Sequence, residues 1–247
     1  MYLVILLPSI LALFALWKNK ITIPGIIAAW IMGIIITYTG GKYTFIALAL
    51  TFFLTILSDK LKKKDVDEKR TIYQMFSNVL TPTCALILYY FKQNELFLVM
   101  YYAVLGGSLA DTLASSIGSL SEGKSINPLT FKPMKKGESG AVSSLGISAS
   151  FLGGLIIGAV YYLSGGFIVN YLIIILMSAL DSYADSVMGA YLQGKFKCNK
   201  CKKIVENKNH CNKETKLIKG ISFMNNDAVN LLSNIIVFIT TYLVMIV

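Results

Sequence analysis

The stretch GGSLADTLASSIGSL, Gly106 to Leu120, has the small and apolar residues of a membrane helix, yet it carries a carboxylate at Asp111. A charge inside lipid costs about 3 kcal/mol even on insertion-based scales unless it is paired, hydrated or metal-bound. The reading therefore turns on whether the surroundings are lipid. Of the 247 residues, 55% are hydrophobic and only 15% are charged. The mean hydropathy of +0.64 exceeds what a soluble domain of this length needs.

Eight apolar segments follow along the chain: Tyr2 to Trp17, Ile21 to Tyr38, Tyr43 to Leu57, Tyr73 to Phe91, Leu96 to Leu120, Ala141 to Leu163, Phe167 to Tyr191 and Ala228 to Val247. They predict an all-α, polytopic membrane helix bundle of about eight transmembrane helices, a single transmembrane domain over residues 1–247. Met1 has no basic flank and no small-residue cleavage site follows it, so the first segment is expected to be retained. Twenty-one of the 23 Lys and Arg fall in the connections after segments one, three, five and seven. By the positive-inside rule that face is cytoplasmic and both termini lie outside, as in a multi-pass protein of a prokaryotic cytoplasmic membrane. The net charge of +10 is then a matter of orientation and anionic headgroups, with the bilayer as partner and no nucleic acid.

Asp111, Asp181 and Asp185 fall within predicted spans, and Asp227 lies at the mouth of the last. All four are expected at one depth on the cytoplasmic side. Asp181 and Asp185 are four residues apart on one helix face, where like charges repel. A divalent cation with a taste for hard oxygen ligands would relieve that repulsion, and Mg²⁺ bound by a few carboxylates and substrate phosphates suits the pattern. SLADTLASSIGS (Ser108 to Ser119) also lies over SALDSYADSVMG (Ser178 to Gly189), matching Asp111 with Asp181. After the intervening loops, GAVSSL lies over DAVNLL, so segments five and six read as a parallel repeat of seven and eight, an arrangement that often sets a site where the halves meet.

Between the repeats, Lys132, Lys135 and Lys136 precede a turn containing Gly137, Ser139 and Gly140. Lysine charge and backbone N–H groups at a helix start suit phosphate, although no Walker motif is present. Arg70, Gln74 and Asn78 recur every fourth residue on segment four, and Asn226, Asp227 and Asn230 open segment eight. In the loop over residues 192–227, Cys198 and Cys201 are followed by His210 and Cys211. This resembles a small zinc knuckle; the adjacent His-Cys pair is an unusual pair of ligands for one ion, and a metal-free or redox-active loop is the alternative. Cys84 is expected to be buried packing.

LADTLASSIGSLSEGKSINPLTFKPMKKGESGAVSSLG, the KCNKC and HC pairs, KGISFMNNDAVN and R-x-x-x-Q-x-x-x-N together resemble the integral membrane family that contains the plant chloroplast phytyl-phosphate kinase of vitamin E synthesis. The resemblance runs from about Arg70 to Asn230, with Lys136-Gly137 where the family has Pro-Gly. The same order of motifs is similar to the wider group of CTP-using membrane enzymes: phytol and dolichol kinases and phosphatidate cytidylyltransferases. The resemblance implies CTP as phosphoryl donor and an isoprenyl monophosphate (phytyl or geranylgeranyl) as acceptor. On that reading Asp111, Asp181, Asp185 and Asp227 position metal and nucleotide, and Lys132, Lys135 and Lys136 hold phosphates. Asn78, Thr112, Ser115 and Asn230 would supply hydrogen bonds in the pocket. The competing readings are a cytidylyltransferase or isoprenol kinase acting on a lipid, and an ion-coupled secondary transporter.

Overall fold

The computed structural model describes residues 2–61 and 69–247 and is a polytopic membrane helix bundle. Its helices are α1 (Tyr2–Lys18), α2 (Ile23–Gly40), α3 (Lys42–Asp59), α4 (Ile72–Lys92), α5 (Glu95–Gly118), α6 (Ser144–Leu163), α7 (Ile168–Tyr191) and α8 (Asn226–Ile246). Each overlaps one expected segment, and side-chain caps set several starts. Thr71 and Gln74 form a capping box on α4, Ser143 accepts from the Gly146 N–H at 3.1 Å, and Asn225 accepts from the Ala228 N–H at 2.9 Å.

The expectation of eight membrane-spanning helices needs correction. Six of the helices are long and apolar enough to cross a bilayer; α1, at 17 residues, is a shorter apolar helix. With 21 residues α4 is long enough, but Gln74, Ser77, Asn78 and Thr81 make its first half too polar. The all-α reading holds for the bundle and not for its loops. Strands β1 (Ser125–Ile126) and β2 (Pro133–Met134) pair after α5, and β3 (Lys195–Cys198), β4 (Ile204–Val205), β5 (Asn209–His210) and β6 (Lys213–Lys219) form an antiparallel sheet in the order β4-β3-β6-β5.

The basic connections meet in pairs on one face. The Arg70 N–H donates to the Lys20 carbonyl (2.8 Å), joining the α1–α2 and α3–α4 connections, and the Ser139 hydroxyl donates to Glu206, joining the other two. Lys62, Lys63 and Lys64 of the expected basic loop lie outside the described residues.

At the centre stands α5, with fifteen of its 24 residues buried, packed most extensively on α6 and α7. Small residues make that approach possible. A Cβ on Gly153 would lie 2.4 Å from the Ala110 backbone nitrogen, and one on Gly106 would lie 2.3 Å from the Ser178 hydroxyl. Polar side chains stitch the same contacts: Ser178 donates to the Ala103 carbonyl at 3.1 Å, and Tyr101 to the Thr44 carbonyl at 2.6 Å. Large apolar side chains such as Trp17, Leu163 and Phe167 face outward, as lipid requires. The α5–α6 and α7–α8 pairs are also alike in length, 24 then 20 residues and 24 then 21, in keeping with a parallel repeat.

Replacing Gly153 by Leu drives a side chain into the α5 backbone and is expected to destabilise the bundle by about 1–3 kcal/mol or more. Thermal unfolding in detergent checks this, with lipid-facing Leu163→Ala changing stability by no more than about 0.5 kcal/mol.

Candidate functional site

Asp181 is 2% exposed and lies flat against α5: a Cβ on Gly107 would meet its Oδ2 at 2.0 Å. Its Oδ1 is buried without a hydrogen-bond partner among the described residues. Asp111 is one turn beyond Gly107 on α5, and Asp185 one turn beyond Asp181 on α7. Asp111 is close enough to interact electrostatically with both α7 acids. With its amide oriented as its neighbours require, Asn230 on α8 donates to Asp185 Oδ2 at 2.8 Å and to the Asn226 carbonyl at 3.1 Å. Asp181 and Asp185 thus lie beside Asp111 without an ion pair of their own among the described residues.

Asp111 and Asp185 border a cavity of about 620 Å³. Asp111 and Ser115 line it from α5, Ser182, Asp185 and Ser186 from α7, and Asn226 from the start of α8. The turn Lys136 to Val142 also lines it, closed by an antiparallel bridge between Ile126 and Val142. Gly137 and Gly140 both have φ of 77°, and a Cβ on Gly140 would lie 2.2 Å from the Ala190 nitrogen. Only glycine fits there, and Gly137 keeps its left-handed conformation with Lys136 before it. Lys136 donates to the Ser121 carbonyl at 2.6 Å, which pins the turn to the end of α5.

A second cluster lies in the sheet. One ligand atom from each of Cys198, Cys201, His210 and Cys211 lies within 4.8 Å of all the others. His210 Nδ1 is 3.5 Å from Cys201 Sγ and 3.2 Å from Cys211 Sγ. The N–H of Cys201 donates to Cys198 Sγ (3.5 Å), and this bond leads the influences that bring the Cys198 thiol down to about 6. Cys84 is exposed on α4, contrary to the expectation that it is buried.

The family described as integral membrane protein DUF92 matches residues 6–238. The chain belongs to this family. An uncharacterized membrane protein of Methanocaldococcus jannaschii is 30% identical over 224 residues, covering 88% of this chain and 90% of that one. Protein PGR of Arabidopsis thaliana is 27% identical over 277 residues, covering 97% and 93%. An uncharacterized membrane protein of Synechocystis is 30% identical over 207 residues, covering 78% and 80%. No solved structure matches the chain.

In this DUF92 chain the cavity gathers Asp111, Asp185, Ser115, Lys136, Gly137, Ser139 and Asn226, with Asp181 and Asn230 directly behind. Lys132 and Lys135 are exposed and line no part of it, and Asp227, in the first turn of α8, also lies outside the lining. Asn78 and Thr112 border a separate apolar crevice among α1 to α5. Both side chains bond back into their own helices, Asn78 to the Gln74 carbonyl (2.9 Å) and Thr112 to the Ser108 carbonyl (2.9 Å). Arg70 pairs with Asp59 at 2.8 Å, so the polar face of α4 serves capping and packing rather than the carboxylate cavity.

Sequence reasoning missed two residues of the cavity lining, Gln193 and Glu206, which flank the strands of the sheet. Glu206 accepts from the Ser139 hydroxyl and, at 3.0 Å, from Gln193 Nε2, and both Glu206 and Gln193 line the cavity. A signal was present: Glu206 is one of two acids among nine lysines between Lys195 and Lys219. Buried Lys195 reaches Glu138 at 2.7 Å and holds its carboxyl below the ordinary value of 4.5.

Because the folded form lowers the Glu138 pKa, the pair contributes stability above pH 4.5 that fades as pH falls through the lower folded value. Glu138→Gln is therefore expected to be less stable than the parent at pH 7. The gap should close as pH drops below 4.5, as measured by detergent-phase melting curves.

Proposed function

We propose that the chain is a CTP-dependent isoprenyl monophosphate kinase that makes a prenyl diphosphate at the cytoplasmic face of the membrane. The observation that carries this reading is the cavity itself, whose lining combines Asp111 and Asp185 with a Lys-Gly-x-Ser-Gly turn. Acids facing a basic, glycine-rich turn suit two phosphate-bearing partners and a bridging cation.

Asp111, Asp181 and Asp185 offer only hard oxygen donors, and the partnerless Oδ1 of Asp181 fits a ligand role. These residues would hold Mg²⁺, which when bound neutralises and orients nucleotide phosphates. Asn230 orients Asp185. The turn from Lys136 to Gly140 cradles the anion with ammonium and backbone N–H groups, and Ser115, Ser139 and Asn226 supply hydrogen bonds. An oxygen of the acceptor monophosphate attacks the γ-phosphorus of CTP, the bond from that phosphorus to the β-bridging oxygen breaks, and CDP leaves. The acceptor phosphate is already ionised, so its attack needs no residue to remove a proton, and catalysis is alignment and charge neutralisation.

The apolar crevice suits the tail. Its lining is largely hydrophobic, with Thr55, Arg70, Asn78 and Thr112 among its polar members. Successive α5 residues, Asp111 and Thr112, open on the cavity and the crevice respectively. The charge asymmetry of the loops supports a cytoplasmic cavity with both termini outside.

Purified protein in detergent, given Mg²⁺, α-labelled CTP and geranylgeranyl monophosphate, is expected to release labelled CDP, with none formed from the free alcohol. Asp185→Asn should lower kcat by about 100-fold or more, the scale seen on losing one well-placed electrostatic group. Label passing into the lipid would instead identify a cytidylyltransferase. CDP formed with the alcohol would identify an isoprenol kinase, and absence of turnover with every nucleotide would overturn the enzyme reading.

A further inference from the structure

We infer that Cys198, Cys201, His210 and Cys211 bind one zinc ion, and that this ion holds together the sheet whose flanking residues Gln193 and Glu206 line the carboxylate cavity. The inference stands on the sheet and does not depend on the kinase reading.

The ligand set is built. Tetrahedral zinc with bonds of about 2.0–2.3 Å holds its ligand atoms roughly 3.3–3.8 Å apart. The 3.5 Å from His210 Nδ1 to the Cys201 sulfur matches an edge of such a tetrahedron, and the 3.2 Å to the Cys211 sulfur is about 0.1 Å shorter than that range. Two turns bring the ligands round. In the first, Lys202 takes φ of 61°, and its N–H donates to the Cys198 carbonyl (3.0 Å) while the Cys198 N–H donates to the Lys203 carbonyl (2.9 Å). In the second, Cys211 and Asn212 take φ of 56° and 58°, the signature of a two-residue type I′ hairpin between β5 and β6. That hairpin resolves the difficulty of adjacent ligands: His210 ends a strand and Cys211 begins the turn, so both reach the same point. The donation from the Cys201 N–H to Cys198 Sγ is the outer bond that a metal thiolate uses.

The sheet has little else to fold on. Between Lys195 and Lys219 the chain has nine lysines against two glutamates, and its only buried hydrophobic side chains are Phe196 and Cys198. So small and so cationic a unit lacks a core and needs a staple. Binding then supplies folding free energy directly. Four protein ligands close the coordination sphere, and none of them lines the cavity, so the ion is structural. Its effect on the site runs through β3 and β4, which carry Lys195 to Glu138 and lead into Glu206 beside Ser139.

The full chain, purified in detergent and analysed by plasma mass spectrometry, should contain one zinc per chain. Cys84→Ser should keep it, whereas Cys201→Ser and His210→Ala should lose most of it. Cobalt exchanged into the unmutated protein tests the same site without a variant that could misfold. An intense thiolate-to-cobalt band with strong visible absorption is expected, and a weak six-coordinate spectrum would overturn the assignment. Zinc removal should abolish amide-exchange protection across residues 195–219 and leave α5 to α7 protected. Protection that survives removal would overturn the structural role, and iron in place of zinc, or no metal, would overturn the site.

Discussion

Acidic side chains buried in a membrane bundle are the constraint on which the rest of this structure depends. Asp181 has no counter-cation among the described residues and one oxygen without a partner. Packing brings it to rest on the one kind of surface that admits a carboxylate so deep, the bare backbone at Gly107 of α5. The same demand for close approach explains why α5, α6 and α7 meet through Gly106, Ala110, Gly153 and Ser178. In lipid, where apolar surface gains nothing by leaving one hydrocarbon for another, such contacts and the hydrogen bonds among them supply the association energy. A cation held among these acids, as proposed, would offset the cost of burying them.

The loops complete what the helices begin. A hairpin and glycine turn after α5, and a sheet after α7, enclose the cavity at the basic face, and Ser139 and Glu206 join them. The two connections differ in form, a hairpin with a glycine turn after α5 and a four-stranded sheet after α7, whereas α5 and α7 are equal in length and Asp111 lies beside Asp181 across their contact.

Much of this was legible in the sequence because lipid imposes simple rules on composition. Helix positions, the pairing of Asp111 with Asp181 and the polar turn all followed from hydropathy, charge placement and spacing. Where the reading failed, longer-range geometry decided. The spacing of Gln74 and Asn78 on α4 suggested a site face, but capping and bonds back into the helix claimed those groups. Lys132 and Lys135 follow the Asn127 turn, and hairpin pairing of Ser125 with Met134 leaves them outside the cavity. Glu206 stood out only as one of two acids among nine lysines, and nothing in that pattern pairs it with Ser139, 67 residues away along the chain.

A divalent cation held by Asp111, Asp181 and Asp185, as proposed, would leave Asp227, outside the cavity lining, dispensable for binding. Electron paramagnetic resonance of Mn²⁺ titrated into the detergent-solubilised chain with CTP tests it most directly. The account predicts saturable Mn²⁺ binding that Asp111→Asn removes and Asp227→Asn leaves intact. Equal binding in the parent and in Asp111→Asn would contradict it.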